Sequence, residues 1–298
     1  MILITGANGF IGSYLIQYLQ NLKKLINPVS LRDDKINILN SNKVYIHLAG
    51  KAHDLKNISD PADYYKTNTD LTIKLFNIFI KSDAKVFITL STVKAVADII
   101  DIELTEDYVP KPITHYGKSK LLADQYILSQ EIPKGKRVYI LRPCMIHGPG
   151  NKGNLSLLYK LVKRGFPWPL GSFENKRSFC SIDNLCYIIN ELIENENIPP
   201  GIYNIADDSP VSTNELIKLI SNSIGKKLCI LNIPKSIIIF FFRFLDLFKL
   251  PLNSEKLNKL TETYVVSNNK IVTAINKPLP LSSKEGLMKT LNSFQYKC

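Results

Sequence analysis

The chain has 298 residues, 45% hydrophobic and 21% charged, a composition that suits a globular fold with a sizeable core and excludes a disordered or low-complexity chain. Its net charge of +12 is spread along the sequence without interleaved aromatics, which argues against a nucleic-acid interface and for a general attraction of anions. Five scattered cysteines show no zinc or redox spacing, so they fit reduced thiols in a cytoplasm and no metal centre.

Ile2, Leu3 and Ile4 form an apolar run of the length of a buried parallel strand. With the run beginning at residue 2, no targeting segment is expected. Gly6, Gly9 and Gly12 follow at intervals of three, and residues 13–20 carry apolar positions at helical spacing. Strand, glycine turn and helix form the context of a dinucleotide site. The glycines let the amides around Phe10, Ile11 and Gly12 approach a pyrophosphate, and the helix N-terminus adds partial positive charge.

A second strand is expected over 29–32. Arg32 at its end would pair with a 2′-phosphate and favour NADP; Asp33 would favour NAD if the strand ended one residue later. A short third strand is expected over 36–39 and a fourth over 44–50. The fourth ends in Leu48, Ala49 and Gly50, which leave room for a cofactor, while His47 packs within the sheet. Residues 63–81 have helical periodicity with Asn68 inside, a poor interior residue that calls for a backbone or water partner. A fifth strand over 85–92 ends in hydroxyls. An acidic loop, a helix over 114–128 and a sixth strand over 137–141 follow. This alternation predicts an α/β fold of Rossmann type, a doubly wound parallel sheet.

After residue 150 the elements shorten and Pro and Gly separate them. We place a dinucleotide-binding domain at 1–150, joined by parts of 178–206, and a smaller α/β substrate-binding part mainly at 151–298. Residues 212–215, Ser-Thr-Asn-Glu, read as a helix start with a capping box. The apolar stretch 237–248 is too short to span a bilayer and is interrupted by Arg243 and Asp246. It reads as a helix packed on the second part or at a subunit interface, in preference to a helix lying in a membrane surface.

Tyr116 and Lys120 lie four apart on a predicted helix and so share a face. A tyrosine of pKa about 10 is a poor base at neutral pH, and a neighbouring ammonium favours its phenolate. Such a pair can pass a proton to or from a hydroxyl or ketone while a nicotinamide cofactor handles hydride. Thr92, at a strand end, is placed to hydrogen-bond the same oxygen.

These stretches resemble the extended short-chain dehydrogenases/reductases: nucleotide-sugar epimerases, dehydratases and ketoreductases. Residues 5–12 look like the family's cofactor fingerprint, 47–50 like its fourth-strand motif and 116–120 like its Tyr-Lys pair. Arg142 and Pro143 with 148–150, then 176–183 and 203–206, are similar to later motifs. The resemblance implies a cofactor site that includes Asn37, Ile38 and Pro143, with Thr92, Tyr116 and Lys120 as catalytic residues. It also implies a homodimer and a cytoplasmic role in making surface-polysaccharide precursors. Residues 90–94 and 148–154 further resemble bacterial reductases of UDP-4-keto-6-deoxy-N-acetylhexosamines, which implies Lys94, Asn154 and Arg177 near the sugar or diphosphate. Val93 stands where many dehydratases carry an acid, which disfavours water elimination. The first expectation is therefore an NADPH-dependent C4-ketone reductase, the second an NAD-dependent UDP-sugar 4-epimerase, and the third a non-catalytic cofactor-binding regulator on the same fold.

Overall fold

The computed structural model describes residues 1–31, 42–52, 60–151, 153–248 and 253–295. Five runs of the first half pair as parallel strands: β1 (Ile2–Thr5), β2 (Ile26–Val29), β3 (Val44–His47), β4 (Val86–Leu90) and β5 (Arg137–Pro143). β6 (Met145–His147) and β7 (Phe179–Ser181) form a separate parallel pair. β8 (Gly201–Ile205) returns to the main sheet beside β5, giving the order β2-β1-β3-β4-β5-β8.

Alternation along the strands divides the core in two. Ile2 and Ile4, Val44 and Ile46, and Tyr139 and Leu141 face one side, where Leu15 and Leu19 of α1 (Phe10–Asn21) contribute to the same core. Leu3, Tyr45, Phe87 and Ile140 face the other. That core takes in Leu75, Phe76 and Phe79, from a helical stretch made of α2 (Pro61–Tyr64), a π-helical turn Tyr65–Asp70 and α3 (Leu71–Lys81). α4 (His115–Leu128) adds Ile127 to that core and is capped by the Thr114 hydroxyl, which accepts from the Gly117 amide.

The remaining helices are α5 (Asn154–Lys163), α6 (Ile182–Glu194), α7 (Thr213–Ile224), α8 (Lys235–Leu247), α9 (Ser254–Thr261), α10 (Asn269–Ile275) and α11 (Ser283–Gln295). α6 joins the α1 side of the sheet, whereas α5, α7, α9 and α11 enclose a second core around Tyr159, Ile217, Leu257 and Leu291. The capping box at the start of α7 is present: the Ser212 hydroxyl accepts from the Glu215 amide, and the Glu215 carboxylate accepts from the Ser212 amide.

Two expectations change. The second strand runs Ile26–Val29, three residues earlier than the apolar pattern suggested, because β1 fixes its register at Ile2↔Ile26 and Thr5↔Val29. Pro28 is tolerated because β2 is an edge strand. This moves the strand end away from Arg32; Arg32, Asn37, Ile38 and the strand expected over 36–39 lie outside the described residues. The apolar stretch 237–248 is helical, but only one stripe packs inward. Ile238 is buried and Phe242 and Leu245 are half-buried, while the opposite side stays exposed.

Candidate active site

The first turn after β1 is built from close backbone approaches. Gly6 has φ +71°, and a side chain there would meet the Ala49 amide nitrogen at 2.6 Å and the Leu48 carbonyl carbon at 2.7 Å. Leu48 and Ala49 thus close over the glycine turn. Gly9 caps α1 without a side-chain bond, so the first-turn amides around Phe10 and Ile11 remain open to an anion. A cradle that any Cβ would fill, facing a helix N-terminus, fits the pyrophosphate of a dinucleotide. At Gly12 a Cβ would lie 2.2 Å from the Gly6 carbonyl oxygen and 2.8 Å from the Ala7 Cα. Gly12→Ala is therefore expected to cost about 1–3 kcal/mol by overpacking and to strip retained dinucleotide from the purified protein. Thermal melting and analysis of released cofactor check this.

The β1–β3 register sets Thr5 beside His47. The Thr5 hydroxyl is 2.7 Å from His47 Nδ1, and Nε2 is 2.9 Å from the Thr72 hydroxyl. Burial, then the nearby Lys120 charge, pulls His47 down to about 3, so it stays neutral and structural. Thr72 in turn donates to the Asn68 carbonyl, inside the π-helical turn.

Around the Tyr-Lys helix, four elements converge. Thr92 ends the β4 segment, is nearly buried, and its hydroxyl bonds the Tyr116 phenol. Lys120 Nζ donates to the Leu90 carbonyl at 2.8 Å and stands 3.1 Å from where a Gly50 side chain would sit. Asn68 Oδ1 is also 3.1 Å from that position. Asn68 accepts from the Lys51 amide and donates to the Ser119 hydroxyl and the Lys51 carbonyl. Its misfit in a regular helix is thereby explained: the π turn aims a fully buried amide at α4.

Burial lowers the Lys120 amine to about 8. Burial also raises the Tyr116 phenol, and the Thr92 hydrogen bond offsets part of this. The expectation of a phenolate favoured by Lys120 is corrected for the chain by itself: desolvation wins, and the phenol is a proton-bearing acid at neutral pH. Beneath the pair, Asp124 continues the helical stripe 116–120–124. Its carboxylate accepts from Arg142 Nε at 3.0 Å and from Ser91 at 2.9 Å, all within the core. Asp124 and Asn68 were the residues sequence reasoning did not assign to the site; the i, i+4, i+8 spacing was the available signal for Asp124.

Pro143 closes β5, opposite Ile205 of β8. The Gly148 turn packs on Phe10 and Ile182, and Tyr14 donates to the Pro149 carbonyl at 2.7 Å. Lys94 and Arg177 share one charged neighbourhood with Glu262 and Lys259. Lys94 donates to the Asp98 carbonyl and lies 4.3 Å over the Tyr264 ring; Arg177 pairs with Glu262 at 3.2 Å. Asn154 is exposed at the start of α5, and no described contact joins it to either cation. No group of three or more potential metal ligands occurs among the described residues.

The chain is similar to UDP-glucose 4-epimerase of Vibrio cholerae, 28% identical over 98% of this chain and 95% of that protein. It is also similar to GDP-6-deoxy-D-mannose reductase of Pseudomonas aeruginosa, 24% identical over 74% of this chain and 78% of that one. Among solved structures, MoeE5 in complex with UDP-glucose and NAD superposes with a TM-score of 0.75 at 19% identity, covering 99% of both chains. A sequence profile matches residues 2–206. With its glycine cradle, parallel sheet and Thr92-Tyr116-Lys120 cluster, the chain belongs to the NAD dependent epimerase/dehydratase family, as an NAD(P)-dependent nucleotide-sugar enzyme of the extended short-chain dehydrogenase/reductase type.

Proposed function

We propose that the chain is a 4-epimerase of UDP-linked hexoses that retains NAD. The observation that carries this reading is the end-to-end similarity to a named UDP-glucose 4-epimerase, together with the intact Thr92-Tyr116-Lys120 cluster. It replaces the C4-ketone reductase as first choice: the same three side chains serve both reactions, and 4-epimerases outnumber reductases among the named relatives. Hydride acceptance and return at the sugar C4 is the chemistry NAD supplies when bound. As the phenolate, Tyr116 Oη takes the C4 hydroxyl proton and gives it back after the sugar has turned. Thr92 Oγ1 orients that oxygen. The Lys120 ammonium lowers the cost of the phenolate and, next to Gly50, holds the cofactor ribose. Gly6, Gly9, Phe10, Ile11 and Gly12 take the pyrophosphate; Leu48, Ala49 and Pro143 line the cofactor, and Arg32, Asn37 and Ile38 complete its adenosine end. Lys94, Arg177 and Asn154, contributed largely by the 151–298 part, take the nucleotide diphosphate and sugar.

Because this cycle returns the cofactor to its starting form, the protein need not exchange it. Purified protein is expected to release NAD on denaturation and to convert UDP-glucose to UDP-galactose without added cofactor, followed by NMR. Stoichiometric NADPH consumption with a UDP-4-keto-6-deoxy-N-acetylhexosamine, and none of the former, would sink the epimerase and make Arg32 the selector of NADP.

The pH profile follows from the lysine. Lys120 carries its charge below about pH 8 and loses it above. The value of kcat/KM is expected to fall on the alkaline side with an apparent pKa near 8, measured from pH 6 to 10. A flat profile to pH 10 would exclude Lys120 as the charge that supports the phenolate.

A further inference from the structure

α8 is apolar on both sides. Its inner stripe has Ile238 and Phe242 in the second core, with Leu245 half-buried on the same side, and the helix packs beside α9. Its outer stripe, Ile237, Phe240, Phe241, Phe244 and Leu247, repeats at helical spacing, and Phe240 and Leu247 are 74% and 78% exposed. A contiguous aromatic face of this kind on a soluble surface marks a docking site. No helix among the described residues is long and apolar enough to cross a membrane.

Charge decides the occupant. Between residues 226 and 249 the sequence carries Lys226, Lys227, Lys235, Arg243 and Lys249 against one acid, Asp246. Asp246 is engaged locally, accepting from the Ser254 amide at the start of α9 at 2.9 Å. An isologous contact with a second copy would bring two such net-cationic faces together. A surface of negative lipid headgroups instead matches the cations while its acyl region takes the phenyl rings. We propose that α8 lies in the surface of an anionic phospholipid bilayer, with Phe240, Phe241, Phe244 and Leu247 inserted and Lys235 and Arg243 at headgroup level. This surface role is independent of which nucleotide sugar the chain uses.

Flotation of the full chain with vesicles tests it. Vesicles of phosphatidylcholine with one quarter phosphatidylglycerol are expected to carry the protein, and phosphatidylcholine alone at least about tenfold less. The double variant Phe240→Ser, Phe244→Ser should lose at least about tenfold in vesicle partition, and Lys235→Glu with Arg243→Glu should lose the preference for anionic lipid. Melting temperature and turnover in solution should remain those of the parent, since these side chains are exposed and outside the active site. Absence of flotation, or equal flotation by the Phe→Ser variant, overturns the proposal. So does a dimer seen by light scattering that the Phe→Ser change splits while the parent never floats; that result gives the face to a second copy.

Discussion

Replacing Tyr116 by Phe is expected to lower kcat by about 10² to 10⁴-fold while the protein still retains its dinucleotide. The substitution deletes one oxygen from a ring that otherwise keeps its place, packed edge-on against Tyr64 with centroids 6.4 Å apart. The cofactor cradle at Gly6, Gly9 and Gly12 lies on another element and is untouched. Retained cofactor with lost turnover separates proton transfer from binding. A variant with more than a tenth of parental kcat would remove Tyr116 from the chemistry, and loss of cofactor as well would make the effect structural.

Asp124→Ala is expected to destabilise the fold by about 3–5 kcal/mol, because it leaves the Arg142 guanidinium buried without its carboxylate. The Ser91 hydroxyl loses its acceptor in the same step. Denaturant unfolding measures the loss, and the paired change Asp124→Leu with Arg142→Met should recover most of it, since no charge then remains in the core. The milder Asp124→Asn carries a second reading. Asp124 raises the Lys120 amine against the effect of burial. Without that carboxylate the amine falls below about 8, and the alkaline limb of the activity profile moves to lower pH.

The elements legible in the sequence were those with strong local causes. β1, the glycine turn and α1 follow from an apolar run, three glycines and a periodic helix within twenty residues. The Tyr116–Lys120 face follows from helical spacing alone. His47 was placed in the sheet, as its contacts with Thr5 and Thr72 bear out. What escaped was decided at a distance. The start of β2 depends on pairing with β1, and it includes Pro28, a residue strands tolerate only at an edge. Asn68 was noticed as a misfit, but its partner Ser119 lies 51 residues away. Asp124 went unassigned because its partner Arg142 comes from another element, 18 residues away. α8 showed its hydrophobicity in sequence, but the direction of each side was settled only by the packing of Ile238 and Phe242.

β8 has a consequence for how the chain is made. Its pairing with β5, from Tyr139↔Gly201 to Pro143↔Ile205, closes the main sheet with a strand that a ribosome delivers only after β6, α5, β7 and α6. Until then the nascent chain carries β5 with one row of amides and carbonyls bare, next to the apolar Ile140 and Leu141. A bare parallel edge recruits other strands, and non-local pairing of this kind forms slowly. Synthesis of this chain therefore includes an interval, between residues 143 and 205, in which the nascent first half is open to aggregation and to chaperone capture.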